Sequence, residues 1–311
     1  MRMDSIIKIS ACFTLLITTN LYCQQISELK DDQFQLYQQK AEQGNVSAMY
    51  NLGVVYQKGL AGETDLRQSM DWYEKAADAD NVNAMIAMAW IYAKGEIVAK
   101  NRDISFEYFF RAATAGHPGA MYNVGFAYEN GYGINVDHIQ AGEWYRQAAE
   151  KGHSGGMFGL GNLYFKGQGV VQNYNSAIGW YLKAANAGNS GAMYNLGLMN
   201  NYGLAIRQDV QKAIEWYKKA ADNSNTHAML AMASMYKHGE FAQQDYFEAV
   251  KWYKRAADTG SGEGMFYLGQ MYETGQGLQK DSYLAKFWYK KAARFESDEA
   301  KLWLKSRRNS Q

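Results

Sequence analysis

Few side chains in this 311-residue sequence are spaced for chemistry. His117 and His153 stand 36 residues apart, and an acidic or amide residue recurs at the same interval: Asp65, Asn101, Asp137, Asn173, Asp209, Asp245 and Asp281. A carboxylate can act as a general base and a histidine as a metal ligand, but both tasks need side chains that converge. An isolated residue every 36 positions supplies no cluster, and Asn replaces Asp freely along the series. No glycine-rich phosphate loop follows a strand, and no His-Glu metal motif or serine elbow occurs. The residues therefore indicate no catalytic group, no metal site and no cofactor. What remains are aromatics, with 24 Tyr, 13 Phe and 8 Trp, enough to fill a large core and to furnish binding platforms.

The only two cysteines, Cys12 and Cys23, fall in an unusual N-terminal stretch. Arg2 and Lys8 flank a short apolar run, Ile9 to Ile17, too short to cross a bilayer, which needs about 20 apolar residues. The run fits a signal peptide over 1–23, with a mature start at Gln24 and no transmembrane helix in the mature chain. Export to the periplasm or beyond the cell is then expected. A lipid anchor through Cys23 is the minority reading, since bulky Tyr22 precedes it where such signals favour a small residue. Basic and acidic residues nearly balance, 32 against 31, and no basic stripe suggests nucleic acid.

The elements behind this spacing are helices. A single proline in the whole chain suggests helices joined by short turns. Met49, Met85, Met121, Met157, Met193, Met229 and Met265 mark a 36-residue step without insertion. Trp-Tyr pairs follow in phase from Trp72-Tyr73 to Trp288-Tyr289, except for Tyr108-Phe109 in the second unit. In the first helix of a unit, counting its leading Ala or Gly as zero, positions 0, 4, 7, 8 and 11 form one apolar stripe at 100° per residue. A Gly ends that helix in every unit, from Gly59 to Gly275, as a left-handed cap would. The recurrent Asp or Asn is then the N-cap of the second helix. Asn45, Asn81, Asn189, Asn225 and Ser261 cap the first helix, while His117 and His153 are read as turn residues. Gly125 and Gly161 are expected to admit a neighbouring helix, and Gly169, in a loop, to tolerate substitution better unless its φ is positive.

The unit resembles the Sel-one-like repeat family, relatives of the tetratricopeptide repeats. The pattern reads Ala120, Val124-Gly125, Tyr128, Gly131, Ala141, Trp144-Tyr145, Ala148-Ala149 and Gly152. The resemblance implies an all-α, right-handed superhelical solenoid of helix-turn-helix repeats with a concave binding surface, and adaptor or scaffold roles. The expected layout is a capping helix at 24–44, seven repeats at 45–80, 81–116, 117–152, 153–188, 189–224, 225–260 and 261–296, and a C-terminal capping helix and tail at 297–311.

Positions 2, 3, 6, 9 and 10 of each first helix lie opposite the stripe and are expected to line the groove. Position 2 is apolar throughout, from Tyr50 to Phe266, and packing between neighbours is the favoured reading there. Position 6 changes most: Val54, Trp90, Phe126, Asn162, Leu198, Ser234 and Gln270. A surface shaped to one ligand varies in this way, whereas positions that hold the array together repeat. Trp90, Phe126, Asn162, Phe165 and Tyr202 are the candidate binding residues, with contact to the adjacent unit as their rival role. The expected function is a non-enzymatic exported scaffold for a protein or peptide partner. The alternative is a binder of cell-envelope carbohydrate or peptidoglycan fragments, because aromatic platforms also stack on sugars.

Overall fold

A computed structural model describes residues 33–60, 62–239 and 243–308. The signal peptide, its cleavage site and both cysteines lie outside the described residues. Among those described there are sixteen helices and no strand. They fall into two compact units, one ending at Asp137 and one beginning at His138. The first holds α1 (33–42), α2 (Val46–Lys58), α3 (Leu66–Asp78), α4 (Val82–Lys94), α5 (Arg102–Thr114) and α6 (Pro118–Asn130). The second holds α7 (His138–Glu150), α8 (Ser154–Lys166), α9 (Tyr174–Asn186), α10 (Ser190–Tyr202), α11 (Val210–Asp222), α12 (Thr226–His238), α13 (Tyr246–Asp258), α14 (Gly262–Thr274), α15 (Ser282–Arg294) and α16 (Asp298–Arg308). Within each unit every helix packs on the next along the chain, as in an α-solenoid.

Local chemistry sets the helix ends. Asn45, Asn81, Asn189, Asn225 and Ser261 each accept the backbone N–H three residues on. The two histidines are not idle turn residues. His117 Nδ1 accepts from the Ala120 amide at 3.2 Å, and His153 Nδ1 from the Gly156 amide at 3.3 Å, so an imidazole nitrogen does the work of the usual amide oxygen. Asp65, Asn101, Asn173, Asp209, Asp245 and Asp281 cap second helices, which accounts for that recurrent series without catalysis. Each first helix stops at its Gly with φ between 61° and 76°. The connecting loop is closed by a backbone bond from the next N-cap to the position-8 carbonyl, as from Asn101 to Tyr92 at 3.0 Å.

The second-helix Tyr bolts neighbouring repeats together. Tyr73, Tyr145, Tyr181, Tyr217, Tyr253 and Tyr289 are all at most 2% exposed. On one side the ring meets position 5 of its own repeat's first helix: a Cβ added to Gly53, Gly161 or Gly197 would fall 2.4–2.5 Å from the ring of Tyr73, Tyr181 or Tyr217. On the other side it meets position 3 of the following repeat: a Cβ on Gly159 would lie 2.7 Å from the Tyr145 ring, and Tyr267 stacks on Tyr253 at 5.1 Å.

This double contact corrects the expected stripe. Within a unit, a first helix such as α4, α8, α10, α12 or α14 is flanked by its own second helix and the preceding one, so burial extends to positions 1 and 5, and position 3 packs as well. Position 8 is only half-buried except at Asn200, and the position-11 Gly is a cap rather than part of the core. Position 2 is half-buried throughout, and in four repeats it packs on its own repeat's Tyr, as Phe158 does on Tyr181 at 5.9 Å. The Trp of the pair, except Trp144, instead carries a cation three residues on, as with Lys75 over Trp72 at 4.2 Å and Lys219 over Trp216 at 4.4 Å.

Candidate functional site

With positions 2 and 3 engaged, position 10 faces outward in every repeat, and position 6 does so in the second and third repeats. Trp90 on α4 and Phe126 on α6 occupy that place in consecutive repeats, and they remain 46% and 39% exposed. Both line one pocket of about 400 Å³ in the first unit. Buried Phe109 on α5 forms its inner wall, with Trp90 edge-on to it at a centroid distance of 5.3 Å. The outer wall is Tyr132, whose ring lies 5.6 Å from that of Phe126.

A two-residue change in the repeat produces the apolar interior. In the first repeat Tyr73, at the place of Phe109, donates its hydroxyl to Gln57 Oε1 at 2.9 Å. In the last, Tyr289 donates to Glu273 at 2.7 Å. The second repeat has Phe109 and Ala93 at these two places, so donor and acceptor are lost together. No polar atom is stranded, and the space they would fill stays open and apolar.

Tyr132 escaped the sequence reading. It sits between Gly131 and Gly133, with φ of 71° and 74°. A Cβ on Gly133 would lie 2.1 Å from the Arg102 carbonyl oxygen, so only glycine lets this loop rest on the first turn of α5. The residue between the two loop positions varies, as position 6 does: Leu60, Glu96, Tyr132, Gln168, Leu204 and Gln276. That variability was the available signal.

The electrostatics of the pocket are one-sided. Lys100 and Arg102 line it and no carboxylate does. The Arg102 guanidinium lies 4.5 Å from the Tyr132 ring centroid. Burial pushes the Tyr122 phenol up from its ordinary value, with the charge of Glu129 adding to the effect, so it stays neutral. Among the described residues no group of three or more His, Cys, Asp or Glu is placed to hold a metal ion, and no helix is long and apolar enough to cross a membrane.

The other three candidates belong to the second unit. Asn162 Oδ1 accepts from the Tyr181 hydroxyl at 2.8 Å and from Asn195 Nδ2 of the next repeat at 3.3 Å, so it joins repeats. Phe165 is half-buried against Tyr174, at 5.3 Å. Tyr202 is 65% exposed.

Comparison with known proteins agrees with this architecture. The Sel1 repeat model matches seven times in succession, at residues 46–81, 82–117, 118–153, 154–189, 190–225, 226–261 and 262–294. Among solved structures, the chain is similar to a protective antigen present in uropathogenic Escherichia coli strains and displaying an SLR fold. The identity is 32% over 87% of this chain, with a TM-score of 0.70. The chain spans 58% of that protein's length. It is also similar to a Sel1 repeat protein from Oxalobacter formigenes, at 27% identity over 90% of this chain and 81% of the other, with a TM-score of 0.72. An immunity protein from Pseudomonas aeruginosa shares the fold at 20% identity, over 70% and 83% of the two chains, with a TM-score of 0.52. No curated protein matches the chain.

Proposed function

Since the chain belongs to the Sel1 repeat family, whose members are generally protein-interaction scaffolds, we propose that it is an exported, non-enzymatic scaffold that binds a protein or peptide on the outward face of its first helices. The observation that carries this reading is the pairing of Trp90 with Phe126. Large aromatics left exposed at one register position in consecutive repeats, and sharing one pocket, are what a binding anchor requires. The recurrent ionisable residues support a binding role over catalysis, because the hydrogen bonds they make are helix caps. The short apolar run at 9–17 supports export.

The test is affinity capture from a cell-envelope extract with the mature chain, beside Trp90→Ala and Phe126→Ala variants whose circular dichroism matches the parent. A polypeptide retained by the parent and lost from both variants is the expected result. Equal capture by all three, with loss on altering the second helices, would move the binding face elsewhere. Recovery of glycan alone would favour the carbohydrate reading.

A further inference from the structure

The pocket in the first unit combines two features that together restrict its occupant. Its walls are aromatic, and its only charged lining residues are the cations Lys100 and Arg102. Neither forms an ion pair among the described residues. Arg111 pairs with Asp78, Arg255 with Asp222 at 3.0 Å, and Arg307 with Glu273 at 2.7 Å, so Arg102 and Lys100 differ from these in leaving their charge available beside the pocket. In a protein of nearly balanced charge, two unpaired cations beside one apolar pocket are a local asymmetry.

The geometry points to a partner polypeptide that inserts one apolar side chain between Trp90 and Phe126 and places a neighbouring carboxylate on Arg102 and Lys100. This assignment rests on the interaction reading above and names the chemistry of the partner. The apolar half follows from the missing hydroxyl of Phe109 and the missing acceptor at Ala93, which leave the space between Trp90 and Phe126 able to take a hydrocarbon or aromatic group, with Asn123 as an uncharged polar residue of the same lining. The acidic half follows from Arg102. Its guanidinium lies over the Tyr132 ring, so the planar fork is oriented before a ligand arrives, and a carboxylate matches that fork with two parallel hydrogen bonds. Gly133 makes the arrangement available, since a side chain there would drive the loop and Tyr132 off the start of α5. Two cations are too few to hold a nucleic acid or a membrane surface by long-range field, so the charge acts as a local selector between peptides.

The experiment uses the whole mature chain and two fluorescein-labelled peptides of equal length with the same central Leu-Phe pair, one flanked by Asp and Glu, the other by Lys and Arg. Fluorescence polarisation reads affinity at two salt concentrations. The acidic peptide should bind about tenfold more tightly, the scale of a charge-assisted pair. Lys100→Gln with Arg102→Gln should abolish that preference, and Arg102→Lys should restore only part of it. Circular dichroism spectra and thermal melts that match the parent guard each variant against a folding artefact. Equal binding of both peptides, or a preference that survives the double variant, overturns the charge assignment. If Trp90→Ala still weakens both peptides in that case, the interaction reading stands. No binding of either peptide overturns the assignment, and envelope capture then decides the interaction reading separately.

Discussion

Gly161→Ala and Gly179→Ala make the same chemical change in adjacent helices of one repeat, and their effects should have opposite sign. Gly179 lies within α9, exposed, with nothing within 4 Å of an added Cβ. Alanine there gains only helix propensity, about 0.5–1 kcal/mol. Gly161 lies within α8, where an added Cβ would stand 2.5 Å from both Cδ1 and Cε1 of Tyr181. That ring is 1% exposed and its hydroxyl is held by Asn162, so it has nowhere to swing. Overpacking of this kind costs about 1–3 kcal/mol, and the upper part of that range applies to a fixed ring. Subtracting the propensity gain leaves a net loss of about 1–2 kcal/mol. Urea unfolding followed by far-ultraviolet circular dichroism gives the comparison, as the direction of the midpoint shift relative to the parent. Shortening the wall with Tyr181→Leu should remove the penalty, so that Gly161→Ala becomes neutral or stabilising in that background. A midpoint raised by Gly161→Ala in the parent background would refute the idea that ring contact is what keeps this residue glycine.

Three further outcomes follow from the backbone and the phenols. Ala205, with φ of 58°, stands where Gly133, Gly169 and Gly277 stand in other repeats, and Ser224, with φ of 61°, stands where most repeats have glycine, so Ala205→Gly and Ser224→Gly should each stabilise the fold by up to about 1 kcal/mol, read as a raised urea midpoint. Gly169→Ala should destabilise at least as much as Gly161→Ala, because its φ is 70°, the exception allowed for from the sequence, and a Cβ would lie 2.5 Å from the His138 carbonyl; thermal melts of the two variants side by side check this. Burial pushes the Tyr73 phenol up to about 12. The folded state therefore holds that proton more tightly than the unfolded chain, whose phenols titrate near pH ~10. The resulting stability is complete below pH ~10 and is lost as pH rises towards 12, so urea midpoints should be flat from pH 8 to about 10 and then fall, less steeply for Tyr73→Phe.

The repeat was legible because a solenoid makes most of its contacts within and between neighbouring units, so the same demands return every 36 residues. Asn81, Gly95 and Asn101 declare their roles by type and offset alone. The capping histidines were harder, because Nδ1 accepts only in one tautomer and histidine is a weak statistical cap. The stripe was drawn too narrow because sequence periodicity describes one helix, whereas two second helices flank a first helix within a unit. The departure at Tyr108-Phe109 was visible, but its meaning depends on Ala93, 16 residues away in sequence and adjacent only once α4 and α5 pack. Trp90 and Phe126 stand out through variation at a fixed position, and Tyr132 shows the same variation in the loop after the first helix.

The tyrosine bolt has an evolutionary consequence. The ring meets a position-5 glycine closely at Gly53, Gly161, Gly197 and Gly269, and no insertion interrupts the 36-residue step. Unequal crossing-over between two repeats of the coding sequence would therefore yield a longer or shorter chain still in register, with its junctions unchanged. Such an event would delete, duplicate or reorder the residues at position 6 while leaving Gly161, Tyr181 and their equivalents matched. Specificity in this chain can change by exchange of whole segments, a route closed to a protein whose binding residues and core come from interleaved parts of one fold.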